Sequence, residues 1–174
     1  MRDNTNFAGI SVKDINLTNR EEYIRRARAK FNAYSSKWEK SYFDDNTGGY
    51  IVTDKYRIAQ SYISKNETEK FYKEYGMCMT LAKNGHSVEY LIDKKSSYDI
   101  HLNSIKADLK KTGSHNNIVN YAKEAIREQG AEIVVFEFEN NSKEIHTQLL
   151  KLSKMYGIHG YFYFSDNKGK IYKF

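Results

Sequence analysis

Apolar and polar residues alternate between positions 97 and 110, and this alternation is the most informative pattern in the chain. The apolar members are Ile100, Leu102, Ile105, Ala107 and Leu109. A period of two predicts two short strands, because successive side chains of a strand point to opposite faces. We therefore expect a hairpin across Asn103-Ser104, with these five residues facing a core and the polar residues facing the other way.

The predicted hairpin places two acids opposite each other. Asp99 pairs with Asp108, so their Cβ atoms lie roughly 5 Å apart, where like charges destabilise unless something compensates them. A divalent cation such as Mg²⁺ would do so, since it binds through one or two carboxylates and keeps water. Lys110 shares their face and could orient a water or stabilise a phosphate. The alternative is a solvated face with ordinary surface acids and lysines.

Capping and turn signals predict the other elements. We expect helices at 18–42, 66–84, 116–129 and 142–156, strands at 50–53, 86–92 and 132–138, and a final hairpin of 161–164 with 171–174. The first fifteen residues read as a loose lead-in. This order of elements predicts an α/β fold with a central mixed sheet flanked by helices.

Length and composition narrow the class of protein. The 174 residues suit one well-cored domain with an N-terminal extension. No apolar run approaches membrane-spanning length, and no secretory signal peptide is visible, so we expect a soluble protein. The single Cys78 excludes an internal disulfide and a cysteine-based zinc site, and its neighbours predict a core position.

Positive charge is concentrated near the N-terminus. Of the net charge of +6, residues 19–41 supply +4, from seven basic residues and three Glu, interleaved with aromatic residues. Such a stretch suits a polyanion such as nucleic acid, and a solvated face with aromatic residues docked on the core is the equal alternative. The candidate nucleic-acid-binding residues are Arg20, Arg25, Arg26, Arg28 and Lys30.

Two further residues could carry chemistry. Glu74 lies beside an apolar stripe of the helix 66–84, where it could supply a third carboxylate or form a salt bridge with Lys70. His101 shares the acidic face of the predicted hairpin. It could be the general base of a metal-independent ribonuclease or a polar surface residue.

The order of these motifs resembles that of the PD-(D/E)XK nuclease superfamily, and most closely the C-terminal tRNA-nuclease toxin domains of contact-dependent growth inhibition (CdiA-type) proteins. The resemblance covers roughly residues 43–138. The matching segments are Phe43-Asp44, Gly48-Gly49-Tyr50, Glu74, Leu81 to His86, Tyr98-Asp99, Asp108-Leu109-Lys110, Asn117-Ile118 and Gln129 to Val135. Tyr98 stands where the family usually has proline. This difference does not remove a metal ligand.

The resemblance implies a restriction-endonuclease-like domain over 43–174, preceded by a lead-in and basic helix over 1–42. Glu74, Asp99 and Asp108 would hold Mg²⁺ or Mn²⁺, Lys110 would assist phosphodiester hydrolysis, and Lys123 would be an auxiliary residue. It also implies tRNA as the substrate, a cognate immunity protein as a partner, and action in the cytoplasm of a target cell after delivery within a larger secreted protein.

Two other functions fit the same residues. One is a DNA endonuclease of the same fold, serving a phage or mobile element. The other is a non-catalytic nucleic-acid-binding module, for which binding would be sensitive to salt and unaffected by chelators.

Overall fold

A computed structural model describes residues 17–174, whose contacts divide them into two compact units. The first unit contains residues 17–94 and 99–104, and the second contains residues 95–98 and 105–174. The lead-in predicted over the first fifteen residues lies outside the described range. The boundary proposed after residue 42 falls within the first unit, and the assignment of 43–174 as a nuclease domain remains a prediction.

The first unit combines helices with four strands of mixed direction. Strand β1 pairs antiparallel with β2, β2 pairs parallel with β3, and β3 pairs antiparallel with β4. The elements are α1 (Leu17–Asn32), β1 (Trp38–Phe43), β2 (Tyr50–Asp54), α2 (Lys55–Gln60), α3 (Lys65–Lys83), β3 (Ser87–Tyr90) and β4 (Ile100–Leu102).

Local sequence signals explain where helix α3 begins and why the chain turns directly after β4. Ser64 caps α3 by accepting a hydrogen bond from the Glu67 backbone N–H, as its capping pattern predicts. Asn103 and Ser104 both have positive φ, of 50° and 70°, which is the conformation of a type I′ turn. Cys78 is buried in the core, as predicted.

The helix predicted over 18–42 is wrong in its second half. Helix α1 ends at Asn32, and residues 38–43 form β1 instead. The strand forms because it pairs with the fully buried β2, while Phe43 stacks on Tyr50 with the ring centroids 6.3 Å apart. Helix α2 was not predicted. It begins where the Asp54 side chain accepts a hydrogen bond from the Tyr56 backbone N–H.

The second unit carries four strands and two helices. Strands β5, β6 and β7 pair in parallel, and β8 pairs antiparallel with β7. The elements are β5 (Ile105–Thr112), a 3₁₀ turn (His115–Asn117), α4 (Ile118–Arg127), β6 (Ile133–Phe138), α5 (Lys143–Tyr156), β7 (Gly160–Phe164) and β8 (Asn167–Lys173). The helix and strand types predicted after residue 116 are confirmed, although α4 is shorter than predicted and β8 starts four residues early.

The predicted faces of β5 need correction. Ile105, predicted to be in the core, is 38% exposed, whereas Asp108, predicted on the polar face, is completely buried. The reason is that Ala107, Asp108 and Leu109 are covered on both faces, and Asp108 and Leu109 lie directly beside the buried Val134 and Val135 of β6.

The fold class is confirmed as α/β, with a mixed sheet flanked by helices. Among the residues described, no helix combines the length and apolar character needed to cross a membrane.

Candidate active site

Strand β5 presents a buried acid and a lysine two residues apart. Lys110 Nζ lies 2.9 Å from Asp108 Oδ2, with the Asp108 side chain 1% exposed and that of Lys110 16% exposed. Lys110 Nζ also donates a hydrogen bond of 3.2 Å to Gln129 Oε1, just beyond α4. The ammonium therefore reaches the edge of the core, where an ion pair with Asp108 and a hydrogen bond to Gln129 hold it while it still meets solvent.

This pairing has chemical consequences. Placing a carboxylate in a low-dielectric interior is costly unless a cation compensates it, and Lys110 supplies that cation. An ammonium fixed in this way is a preorganised positive charge, which stabilises negative charge that develops on a phosphate. The pair can therefore serve phosphoryl chemistry as well as stability.

Glu74 lies in the first unit, with its own cationic and hydroxyl partners. The Tyr90 hydroxyl donates to Glu74 Oε2 at 2.6 Å, and Arg57 Nη2 donates to the same oxygen at 3.3 Å. The Lys70 contact considered from the sequence is present but longer, 3.9 Å from Nζ to Oε1. Burial and then the negative charge of Asp99 raise the pKa of Glu74 above its usual value, against the lowering effect of these partners.

Glu74 and Asp99, two of the three predicted metal ligands, interact through their negative charges. Asp99 is partly buried just before β4, and its carbonyl oxygen accepts a hydrogen bond from the Leu91 backbone N–H at 3.1 Å. Both acids therefore belong to one unit and interact electrostatically. The predicted pairing of Asp99 with Asp108 stays a prediction.

A site for Mg²⁺ or Mn²⁺ needs oxygen ligands that converge on one point. Among residues 17–174, no three or more His, Cys, Asp or Glu side chains are grouped so that they could hold a metal ion. Mg²⁺ commonly takes only one or two protein carboxylates and completes its shell with water and substrate oxygens. Glu74 and Asp99 offer two carboxylates whose mutual repulsion a bound cation would reduce, while burial is the larger cause of the raised Glu74 pKa.

His101 belongs to a different group of polar side chains. Its Nδ1 lies 2.6 Å from Glu89 Oε2, and the Tyr34 hydroxyl donates to Glu89 Oε1 at 2.7 Å. His101 and Glu89 are direct partners across β3 and β4. The sequence suggested a role for His101 but gave no sign of Glu89 and Tyr34, which lie 12 and 67 residues away along the chain.

Most of the candidate nucleic-acid-binding residues make local contacts. Arg25 and Arg26 both contact Glu22, at 2.8 and 2.6 Å. Lys30 has no ion-pair partner within residues 17–174. The remaining two contact the turn before β2: Arg20 donates to the Asn46 carbonyl oxygen, and Arg28 pairs with Asp45 and lies 3.6 Å from the Phe43 ring centroid.

Lys123, the predicted auxiliary residue, lies apart from the Asp108–Lys110 pair and makes a different contact. Lys123 Nζ lies 4.1 Å from the Tyr156 ring centroid, which is a cation–π contact between α4 and α5. Gln129, which falls just after the same helix, is the polar residue that contacts Lys110. The sequence gave no signal for Arg57, the buried partner of Glu74.

No family model and no curated protein matches the chain. A solved toxin complex shares its fold. This is the CdiA-CT/CdiI toxin and immunity complex from Burkholderia pseudomallei, which matches with a TM-score of 0.50 and 16% sequence identity. The match covers 65% of this chain and 89% of that chain. It supports a CdiA-CT-like fold.

Proposed function

We propose that this chain is the nuclease domain of a bacterial toxin and that it hydrolyses phosphodiester bonds, preferably those of tRNA, with a divalent cation. The observation that carries the proposal is the buried Asp108–Lys110 pair, with Nζ 2.9 Å from Oδ2. A lysine held beside a buried carboxylate at the edge of the core suits phosphoryl transfer, where catalysis depends largely on positioning and charge.

The site residues have different roles in the proposed hydrolysis. Of the predicted ligands, Glu74 and Asp99 would hold Mg²⁺ or Mn²⁺, which when bound lowers the pKa of its water and polarises a phosphoryl oxygen, and the buried Asp108 would anchor Lys110. Lys110 stabilises the charge that develops on the scissile phosphate, and Gln129 holds its ammonium in place. Arg57 and Tyr90 fix one oxygen of Glu74, which limits the orientations that this carboxylate can adopt.

The partner and the place of action follow from the toxin assignment. The neighbouring structure is a complex of a toxin with an immunity protein, and we propose that this chain also has a cognate immunity protein. The net charge of +6 favours an acidic surface on that partner, since complementary charge speeds association. Delivery into the cytoplasm of a target cell belongs to the same proposal.

Cleavage assays test the proposal. Purified protein is incubated with total tRNA and, separately, with duplex DNA, in Mg²⁺ or in EDTA, alongside Asp108→Ala and Lys110→Ala. Lys154→Ala is the matched control, because it removes an exposed lysine of α5 in the same unit. We expect metal-dependent tRNA cleavage that both site variants lose and the control keeps.

Other results would support the alternative functions. Cleavage of duplex DNA but not of tRNA would indicate a DNA endonuclease of the same fold. Binding without cleavage, unchanged in the site variants and in EDTA, would overturn the nuclease proposal in favour of a nucleic-acid-binding module.

A further inference from the structure

A cleft in the first unit lies between α1 and the strands β3 and β4. Its volume is about 910 Å³, which is at the upper end of the range for small-molecule sites. Tyr90 contacts Glu74, whereas the preceding residue Glu89 lines this cleft. Because neighbouring strand residues point to opposite faces, the cleft opens on the face of β3 opposite Glu74.

One wall of the cleft holds a carboxylate fixed on both of its oxygens. Glu89 contacts His101 Nδ1 at 2.6 Å and accepts from the Tyr34 hydroxyl at 2.7 Å. Burial and the hydrogen bond to Glu89 raise the pKa of Tyr34, so its hydroxyl stays protonated and keeps donating. A carboxylate has about four acceptor positions, so Glu89 retains the capacity to accept a hydrogen bond from a ligand hydroxyl.

The opposite wall carries positive charge and an aromatic ring. Arg26 and Lys30 are one turn apart on α1 and both line the cleft. Glu22 is shared between Arg25 and Arg26, so it cancels only one of those two charges. Tyr23 is 41% exposed, and its hydroxyl donates to the Gly85 carbonyl oxygen at 3.1 Å, which fixes the ring at the cleft.

We propose that this cleft binds one ribonucleotide unit of a single-stranded RNA segment. Arg26 and Lys30 contact its phosphate, the Glu89–His101 pair contacts the ribose 2′-hydroxyl, and the base stacks on Tyr23. A ribose phosphate requires an acceptor for its hydroxyl beside cations for its phosphate, and the two walls supply that combination. The inference rests on the proposed function in taking RNA as the substrate, and it adds a binding site separate from Glu74.

Binding without turnover tests this inference. Fluorescence anisotropy measures the affinity for a labelled short single-stranded RNA, and for DNA of the same sequence, in EDTA over a range of salt concentrations. Lys30→Ala should weaken RNA binding several-fold and lower the slope of log affinity against log salt by about 0.7, the value for one phosphate contact on a single strand. The matched control Lys73→Ala, on an exposed position of α3, should change neither quantity.

A second variant tests the recognition of ribose. Glu89→Leu, which removes both acceptor oxygens, should bring the RNA and DNA affinities close together, while Tyr34→Phe, which keeps the carboxylate, should preserve the preference for RNA. Equal losses in Lys30→Ala and Lys73→Ala, or equal affinity of the unaltered protein for RNA and DNA, would overturn the proposal. Absence of cleavage in the Mg²⁺ assay with these binding results intact would instead refute the proposed function alone.

Discussion

Arg57 is the buried cation that allows Glu74 to exist as a carboxylate inside the first unit, and its removal gives the sharpest stability prediction. The Arg57 side chain is completely buried, while that of Glu74 is 11% exposed. Arg57 Nη2 donates to Glu74 Oε2 at 3.3 Å, and Arg57 Nε donates to the Tyr90 hydroxyl oxygen at 3.1 Å. Arg57→Leu therefore leaves the buried Glu74 carboxylate without its nearest cation, with Lys70 Nζ 3.9 Å away as the remaining one within residues 17–174.

Breaking a buried pair by removing one partner costs about 3–5 kcal/mol. At an m-value of about 2 kcal/mol/M, this cost lowers the urea midpoint by about 2 M. Trp38 is the one tryptophan of the chain and lies on β1 in the same unit, so its fluorescence reports this unfolding. The matched control is Arg25→Leu, because the Arg25 side chain is 75% exposed and its loss should not move the midpoint.

A second substitution separates charge from packing. In the Arg57→Leu background, Glu74→Gln removes the uncompensated charge and retains an acceptor for the Tyr90 hydroxyl, so it should recover part of the lost stability. The reasoning would be refuted by an Arg57→Leu midpoint within about 0.5 M of the unaltered protein, or by a further loss of stability on adding Glu74→Gln.

Three further predictions concern pH and backbone conformation. Burial lowers the pKa of His86 from 6.5 to about 4, so below pH 6.5 the unfolded chain binds a proton that the folded chain does not. The free energy of unfolding should therefore fall by about 3 kcal/mol as pH drops from 6.5 to 4, and His86→Gln should flatten this fall in urea titrations. Burial would raise the pKa of Glu137, but hydrogen bonds from Ser165, Tyr163 and Lys111 outweigh this effect and lower the pKa below 4.5. Glu137→Gln should therefore reduce the free energy of unfolding by about 1–3 kcal/mol at pH 7. The difference in stability from the unaltered protein should shrink as pH falls through the lowered pKa. Gly157 ends α5 with φ of 62°, and a Cβ added there would meet no atom within 4 Å. Gly157→Ala should therefore cost about 1–2 kcal/mol of stability through backbone strain alone, measured by thermal unfolding. An unchanged midpoint would contradict the strain argument.

The parts of the fold that depend on short-range signals were predictable from the sequence. Ser64 and Ser142 cap α3 and α5 as their sequence positions suggest, and Gly157 ends α5 in the left-handed conformation. These signals operate within one turn of helix, so no knowledge of distant residues is needed. The α/β class followed from the order of such elements.

The misplaced elements depend on distant contacts. The segment that forms β1 continues the helical pattern of α1, and only its pairing with β2 and the contact of Phe43 with Tyr50 make it a strand. Arg57 reaches Glu74 across 17 positions of sequence, and no local pattern reveals that contact. Likewise, Asp108 looks like a surface residue in an alternating strand until the covering of both faces of β5 is known.

The measurement that tests the nuclease proposal most directly is the single-turnover rate of tRNA cleavage in Mg²⁺ by the unaltered protein and by Asp108→Asn. This substitution keeps the size of the buried side chain and removes only its charge, and circular dichroism checks that the variant is folded. The proposal predicts a loss of at least about 100-fold in rate, abolition of the remaining rate by EDTA, and full activity in Lys154→Ala. A folded Asp108→Asn protein that cleaves tRNA as fast as the unaltered chain would contradict it.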